Sequence, residues 1–334
     1  MSSVAAATGA TSFIPASTRR RFLRRNTWTL AIYGVFLALL LVEKIVHSSL
    51  GAFDFENLVI YSLPLAFAAM GQATVVLIGG IDLSIGPMMA LVNVVAATWL
   101  ATASFQQSIL YALVIIVGVA ALGALTGLVI TVSRVPDIIV TLATGFIWSG
   151  VALRVLPSPG GGVQSVDFSN LVNGELWGVI PEGALVLAVI ILVVWLPFYR
   201  SKMGLSVYAL GSNRTAAFLS GVNVARTRIA AYALGGAFVA MAGLALTAAT
   251  STGDPNSAAN YTLNSVASVV LGGVSLAGGR GGLLGPVAAA FVLGLIGIIL
   301  GFMQVDPNWA LVIQGVIVVL VMLFAGVLTL RRQQ

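Results

Sequence analysis

The chain has no cysteine and a single histidine, His47. Without cysteine there is no disulfide framework and no thiolate metal site, and one imidazole cannot build a multi-histidine cluster. Charge is almost as scarce. Asp, Glu, Lys and Arg make up 8% of the 334 residues, whereas soluble globular domains carry about 25%. So few charges cannot coat a water-exposed surface, and this excludes an ordinary soluble domain. Only two lysines occur, Lys44 and Lys202. Neither stands in a Gly-x-x-x-x-Gly-Lys-Ser/Thr run, so the chain has no phosphate-binding loop of that kind. The carboxylates inside apolar stretches are too few for a proton or sodium relay. Asp82 and Asp254 fall at opposite ends of the spans deduced below, which excludes an intramembrane pair of catalytic aspartates.

What the chain has in quantity is apolar length. Hydrophobic residues are 59% of the sequence and the mean hydropathy is +1.06. Backbone polar groups in lipid must be satisfied internally, so the choice is between helices and a closed barrel. The apolar runs are continuous rather than alternating, and this predicts helices. At roughly 20 residues per span the sequence divides into ten, near 27–46, 57–78, 84–103, 109–131, 138–156, 183–199, 229–249, 262–277, 283–303 and 309–329. The eighth is short and interrupted by glycine. Residues 1–26 read as a disordered, basic cytoplasmic tail and 27–330 as one membrane domain. The basic and apolar pattern near the start is read as a retained first helix rather than a cleaved signal.

The net charge of +6 is explained by topology rather than by nucleic acid. With the N-terminus inside, the inner ends collect the run from Arg19 to Arg25, Arg134, the cations of Arg200–Arg228, Arg280, Arg331 and Arg332. These are 14 of the 16 cations; only Lys44 and Arg154 fall outside. That bias orients a polytopic protein and predicts both termini in the cytoplasm.

The longest polar, cation-rich stretch runs from Arg200 to Arg228. Within it Ser212 and Asn213 are capping residues, Ala216, Ala217, Phe218 and Leu219 form a short apolar run, and Ser220 and Gly221 close it. This predicts a short helix at the cytoplasmic surface. Two uses remain open at this point: a docking element, with Asn213 through Gly221 as contacts, or a charged loop that only sets topology.

Three other features stand out. Gly79-Gly80-Ile81-Asp82-Leu83-Ser84-Ile85-Gly86-Pro87 is read as a helix end, a cap by Asp82 or Ser84 and the first turn of a new helix. Asp82 is either only that cap or part of a gate. The stretch from Val75 to Pro87 resembles that from Val269 to Ala277, each carrying a Gly-Gly pair at the inner end of a span, and Gly285-Pro286 follows the second. Asn264, Ser268, Gly272 and Ser275 would share one helix face, lining a path or packing against a neighbour. Gly123-x-x-x-Gly127 and Gly297-x-x-x-Gly301 are read as packing motifs.

With these residues in view, the sequence resembles the ribose-type permeases, the membrane subunits of bacterial ATP-binding-cassette sugar importers. The likeness spans about residues 55–329. It rests on Gly79-Gly-Ile-Asp-Leu-Ser84, on Gly127-Leu-Val-Ile-Thr131 with Pro136-x-x-Ile-Val-Thr-Leu142, on Gly211-Ser-Asn-x-x-Ala-Ala-x-x-Ser-Gly221, and on Val270-Leu-Gly-Gly-Val-Ser-Leu-Ala-Gly-Gly-Arg-Gly281. It implies an ATPase subunit, an extracytoplasmic sugar-binding protein, a second permease copy of the same or a paralogous sequence, and a bacterial inner-membrane location. It also implies that residues 211–221 dock on the ATPase. Where the family carries an acidic residue before the paired alanines, Arg214 and Thr215 stand here, so no particular salt bridge to the ATPase is implied.

The sequence therefore predicts an all-α polytopic permease with no catalytic residue, cofactor or metal of its own. Its coupling contacts are Asn213, Arg214, Ala216, Ala217, Phe218, Leu219, Ser220 and Gly221, and Asp82, Ser84, Asn264, Ser268 and Ser275 are candidates for the path. The expected solute is a neutral sugar or polyol. A nucleoside, a signalling furanose or an amino acid, or a proton-coupled sugar carrier, are the alternatives.

Overall fold

A computed structural model describes residues 16–47 and 51–331. The first fifteen residues of the expected tail, and Arg332, lie outside the described residues. In chain order the helices are α1 (Ala16–Val46), α2 (Ala52–Leu77), α3 (Ile85–Trp99), α4 (Phe105–Ser133), α5 (Asp137–Val155) and α6 (Val166–Asn173). A two-residue hairpin follows, β1 (Glu175–Leu176) with β2 (Ile180–Pro181). Then come α7 (Glu182–Ile190), α8 (Leu196–Arg200), α9 (Lys202–Ser212), α10 (Arg214–Leu219), α11 (Val224–Thr250), α12 (Tyr261–Leu271), α13 (Leu284–Phe302) and α14 (Pro307–Arg331). A π turn over Ile191–Trp195 joins α7 to α8. It precedes Pro197, which has no N–H to give to the helical ladder.

Seven helices among the described residues are long and apolar enough to cross a membrane: α2, α3 with its terminal turn, α4, α5, α7 through α8, α11 and α13. Each falls within a few residues of an expected span. The spans expected at 27–46 and 309–329 lie on α1 and α14. The eighth, 262–277, is different. Its helix covers only Tyr261–Leu271, and residues 251–260 before it are irregular. The glycine pair at 272–273 ends the helix early, so Ser275 lies beyond it.

The core forms around α2, which is buried along nearly its whole length. Small residues let its backbone meet α11. A Cβ on Gly71 would stand 2.9 Å from the Gly235 carbonyl oxygen. On its other side α11 rests on α4, where Gly123 and Gly127 receive Tyr232 and Gly236 sits on the Val119 carbonyl. The first expected packing motif therefore seats one helix on another. Gly297 and Gly301 do not: among the described residues nothing approaches either within 4 Å.

The internal resemblance is also structural. Gly79 and Gly273 have the same left-handed φ of +81°, the conformation that glycine adopts without a Cβ penalty. Each closes its helix with the same paired bonds. Gly79 N–H donates to the Val76 carbonyl and Gly80 N–H to Val75; Gly273 N–H donates to Val270 and Val274 N–H to Val269. This is the Schellman closure. In both cases the next helix has Gly-Pro at its second and third positions, Gly86-Pro87 on α3 and Gly285-Pro286 on α13.

Candidate functional site

Two cations of the Arg200–Arg228 stretch, Arg214 and Arg228, come together with Arg134 at one end of the helices. There α10 forms as the sequence predicts. Asn213 Oδ1 accepts from Ala216 N–H at 2.9 Å, and Gly221 N–H donates to Phe218 at 3.0 Å. Ala217 is packed inward. Phe218 and Leu219 are 68% and 78% exposed, an apolar pair held out from the surface.

Behind this helix lies a contact that sequence reasoning did not foresee. Gly211, near the end of α9, packs backbone to backbone between the Leu77 carbonyl of α2 and Gly279 in the α12–α13 connection. Gly279 N–H donates to that same Leu77 carbonyl at 2.9 Å, and a Cβ on Gly278 would stand 2.8 Å from Gly79 N. Tyr208 of α9 adds a bond from its hydroxyl to the Gly281 carbonyl at 2.9 Å. Burial, with Tyr199 adding to it, pushes the Tyr208 hydroxyl above its ordinary pKa, so it stays protonated and keeps donating. The α9–α10 unit is thus fastened at once to the end of α2 and to the Gly278–Gly281 turn of the α12–α13 connection. Contacts through backbone transmit displacement because no side chain can rotate out of the way.

The connection from Ile78 to Ser84 is held on every side. Asp82 Oδ1 accepts from Ser84 N–H at 2.8 Å and from Ser84 Oγ at 2.6 Å. Ser84 occupies the cap position of α3 but makes no capping bond from its side chain; the hydroxyl serves Asp82 instead. The buried Gln72 amide lies against the Asp82 backbone; in the amide orientation that satisfies both groups, its nitrogen donates to the carbonyl at 2.9 Å and its oxygen accepts from N–H at 3.2 Å. Thr141 Oγ1 accepts from Leu83 N–H at 3.1 Å. Beside Gly80, Tyr232 donates to Asp137 at 3.0 Å, and Arg228 lies 3.9 Å from the same carboxylate.

At the other end, Asn93 on α3 is the centre of a network. Its amide nitrogen donates to Thr247 Oγ1 and to the Thr252 carbonyl, both at 3.0 Å. Its oxygen accepts from Asp254 N–H at 2.7 Å and Ser257 Oγ at 3.3 Å. All four hydrogen-bonding positions of the amide are used. The irregular segment 251–260 is pinned along α3: Gly253 sits against Ala97, and the Ala258 carbonyl and Thr262 sit against Gly86. The segment is folded in turns, with Ser257 N–H donating to the Asp254 carbonyl at 3.2 Å and Ala259 N–H to the Asn256 carbonyl at 3.3 Å. This part of the chain runs unwound through the depth of the spans. Backbone like this is tolerated in a membrane only when buried in protein or lining a polar cavity. The loop after α5 closes over it, with Gly160 and Gly253 exchanging both backbone bonds at 2.9 and 2.8 Å.

The expected path residues are not all in one place. Asp82 and Ser84 lie together at the first helix break. Asn264 and Ser268 lie on α12, with Ser268 fully buried and its hydroxyl bonded to the Asn264 carbonyl at 2.8 Å. Ser275 lies in the second break, its N–H donating to the Arg280 carbonyl at 3.0 Å. Gln72 and Thr141 were not singled out from the sequence as site residues, and Gly211 was read only as part of the docking stretch 211–221. The turn-former run Gly253-Asp254-Pro255-Asn256 between apolar stretches was the available signal for the unwound segment.

Residues 55–322 match the family model described as "Branched-chain amino acid transport system / permease component". The chain belongs to this permease family. As a family member it is a multi-pass membrane protein and a component of a transport system. The ribose import permease protein RbsC of Escherichia coli (strain K12) is 32% identical over 262 residues, covering 77% of this chain and 81% of that protein. RbsC of Bacillus subtilis (strain 168) is 31% identical over 293 residues, 87% of this chain and 90% of the relative. The fructose import permease protein FrcC of Rhizobium meliloti is 32% identical over 262 residues, 75% of this chain and 71% of the relative. No solved structure matches the chain significantly. These relatives carry import in their names.

Proposed function

We propose that this chain is the membrane subunit of an ATP-binding-cassette importer that brings a neutral sugar or polyol into the cytoplasm of a bacterium. Ten segments cross or partly cross the inner membrane, with both termini and the arginine-bearing end in the cytoplasm. Two permease copies, or this chain with a paralogue, enclose the path. An ATPase subunit docks on α10 from inside, and an extracytoplasmic sugar-binding protein delivers the solute from outside. The chain itself catalyses nothing and holds no cofactor.

A single observation carries this reading: an exposed apolar helix end, Phe218–Leu219, belongs to a unit locked through Gly211 to the end of α2 and to the α12–α13 connection. An apolar pair below the membrane surface has no lipid to cover it and needs a protein partner. When that partner moves α10, the displacement reaches Gly79 and Gly279 directly. The path then runs past the polar groups between the breaks and the unwound segment: Asp82, Ser84, Asn264, Ser268, Ser275 and, added by the geometry, Asn93. Uncharged hydrogen-bonding groups dominate this set and suit a neutral polyhydroxylated solute.

The testing experiment is Phe218→Asp. It would place an unpaired carboxylate in the contact, at a cost of several kcal/mol, without touching a spanning helix. The permease should insert normally, while co-purification of the ATPase and solute-stimulated ATP hydrolysis fall sharply. Normal transport by this variant would remove α10 from the coupling role. Uptake that persists with no ATPase present would favour the ion-coupled carrier.

A further inference from the structure

We propose that the cleft between the α4–α5 turn and the start of α11 is a binding site for the headgroup phosphate of an anionic phospholipid. The cleft measures about 230 Å³ and brings together Arg134, Arg214 and Arg228, with Asp137 among its lining residues. Three guanidiniums face one carboxylate, so the site keeps an excess of positive charge. Asp137 is already engaged by the Tyr232 hydroxyl and lies at the outer limit of an ion pair from Arg228. The Arg228 Nε is enclosed and meets no acceptor among the described residues. Guanidinium is the side chain whose planar fork fits phosphate oxygens, and an enclosed N–H left without an acceptor favours a ligand that supplies one.

Position selects lipid over other anions. Arg134 caps the end of spanning helix α4 and Asp137 begins spanning helix α5, so the cleft lies at the level where the spans meet the headgroups. Just beyond it the same helices expose Val132, Ile138, Ile139 and Leu142. Acyl chains can lie on that apolar wall while the phosphate enters the cleft. Basic pockets of this kind between spanning helices bind anionic headgroups. The inference rests on the membrane placement of the helices and not on the solute.

The test uses the full-length permease, purified and exchanged into neutral phosphatidylcholine nanodiscs, then titrated with phosphatidylglycerol. Lipid retained per chain is read by native mass spectrometry. The wild type should retain phosphatidylglycerol over phosphatidylcholine. Arg134→Gln and Arg214→Gln should each lower that preference about fivefold, as expected for one cation at the membrane surface. Arg134→Lys, which keeps the charge, should retain most of it and shows that the site still folds. Inorganic phosphate at millimolar concentration should not displace the lipid. Equal retention by wild type and both glutamine variants overturns the proposal. So does displacement by free phosphate, which would make this a soluble-anion site. Unchanged lipid preference with loss of ATPase co-purification in Arg134→Gln would assign the cleft to an acidic side chain of the partner instead.

Discussion

Gly211→Ala is the sharpest test of the coupling geometry. A Cβ at this position would stand 2.5 Å from Gly279 N and 3.0 Å from the Leu77 carbonyl carbon, whereas ordinary contact begins at 3.4 Å. Both obstacles are backbone, and Leu77 is part of the buried core. Helix α9 must therefore move by about 1 Å or more, in the range where a few tenths already cost contact energy. Overpacking of this kind costs about 1–3 kcal/mol, a loss the fold should survive. The consequence lies in function. With α9–α10 displaced from the Leu77–Gly279 junction, ATPase binding should persist because Phe218 and Leu219 are untouched, but hydrolysis should no longer be linked to transport. The assay is paired: solute uptake and ATP hydrolysis by the reconstituted complex in proteoliposomes. Uptake should drop at least tenfold while basal hydrolysis changes little. Gly118→Ala is the control, since a Cβ there meets nothing within 4 Å. Wild-type uptake by Gly211→Ala, with an unchanged unfolding midpoint, would refute the claim that this junction transmits motion.

Other outcomes follow from the same geometry. Cysteines at Ser220 and Trp177, introduced into a chain that has none, should differ in whole cells: an impermeant maleimide should label Trp177→Cys and spare Ser220→Cys, and the reverse pattern would invert the topology. Ser268→Leu should place a bulky group in a fully buried position on α12; if Ser268 borders the path, uptake is lost while ATPase binding is kept, and full uptake would leave it a packing residue. Asn93→Ala leaves Asp254 N–H without its partner and takes one bond each from the Thr252 carbonyl, Thr247 and Ser257, which keep Thr250, Gly243 and Asp254 as partners. With about 1–3 kcal/mol for each buried group left unsatisfied, segment 251–260 should loosen, read as faster amide exchange at Gly253–Ser257. Unchanged exchange there would mean that the glycine bridge to Gly160 holds the segment alone.

The sequence by itself determined the medium, the helical class and the positions of seven spans within a few residues. It did so because lipid imposes one rule on the backbone and because a span has a fixed length. It also determined α10, since Asn213 at the cap, the apolar run and Gly221 are local signals with local consequences. The left-handed closures at Gly79 and Gly273 were legible for the same reason: glycine pairs punctuate a helix wherever they stand. What only the tertiary structure decided is how these pieces meet. Nothing in Gly211 announces that Leu77 and Gly279, far away in sequence, press on it from both sides, because a close backbone approach leaves no local pattern. The eighth span read as an interrupted helix on composition; its helix stops at Leu271, where the Gly272–Gly273 pair closes it, and the irregular segment 251–260 before it is held by hydrogen bonds to Asn93 on another helix. In the sequence Arg134 and Arg228 counted only toward topology, and Arg214 toward topology and coupling. They form one cleft because α4, α10 and α11 end side by side, a fact that belongs to the packing of Gly123 and Gly127 on Tyr232 and to no single stretch of the chain.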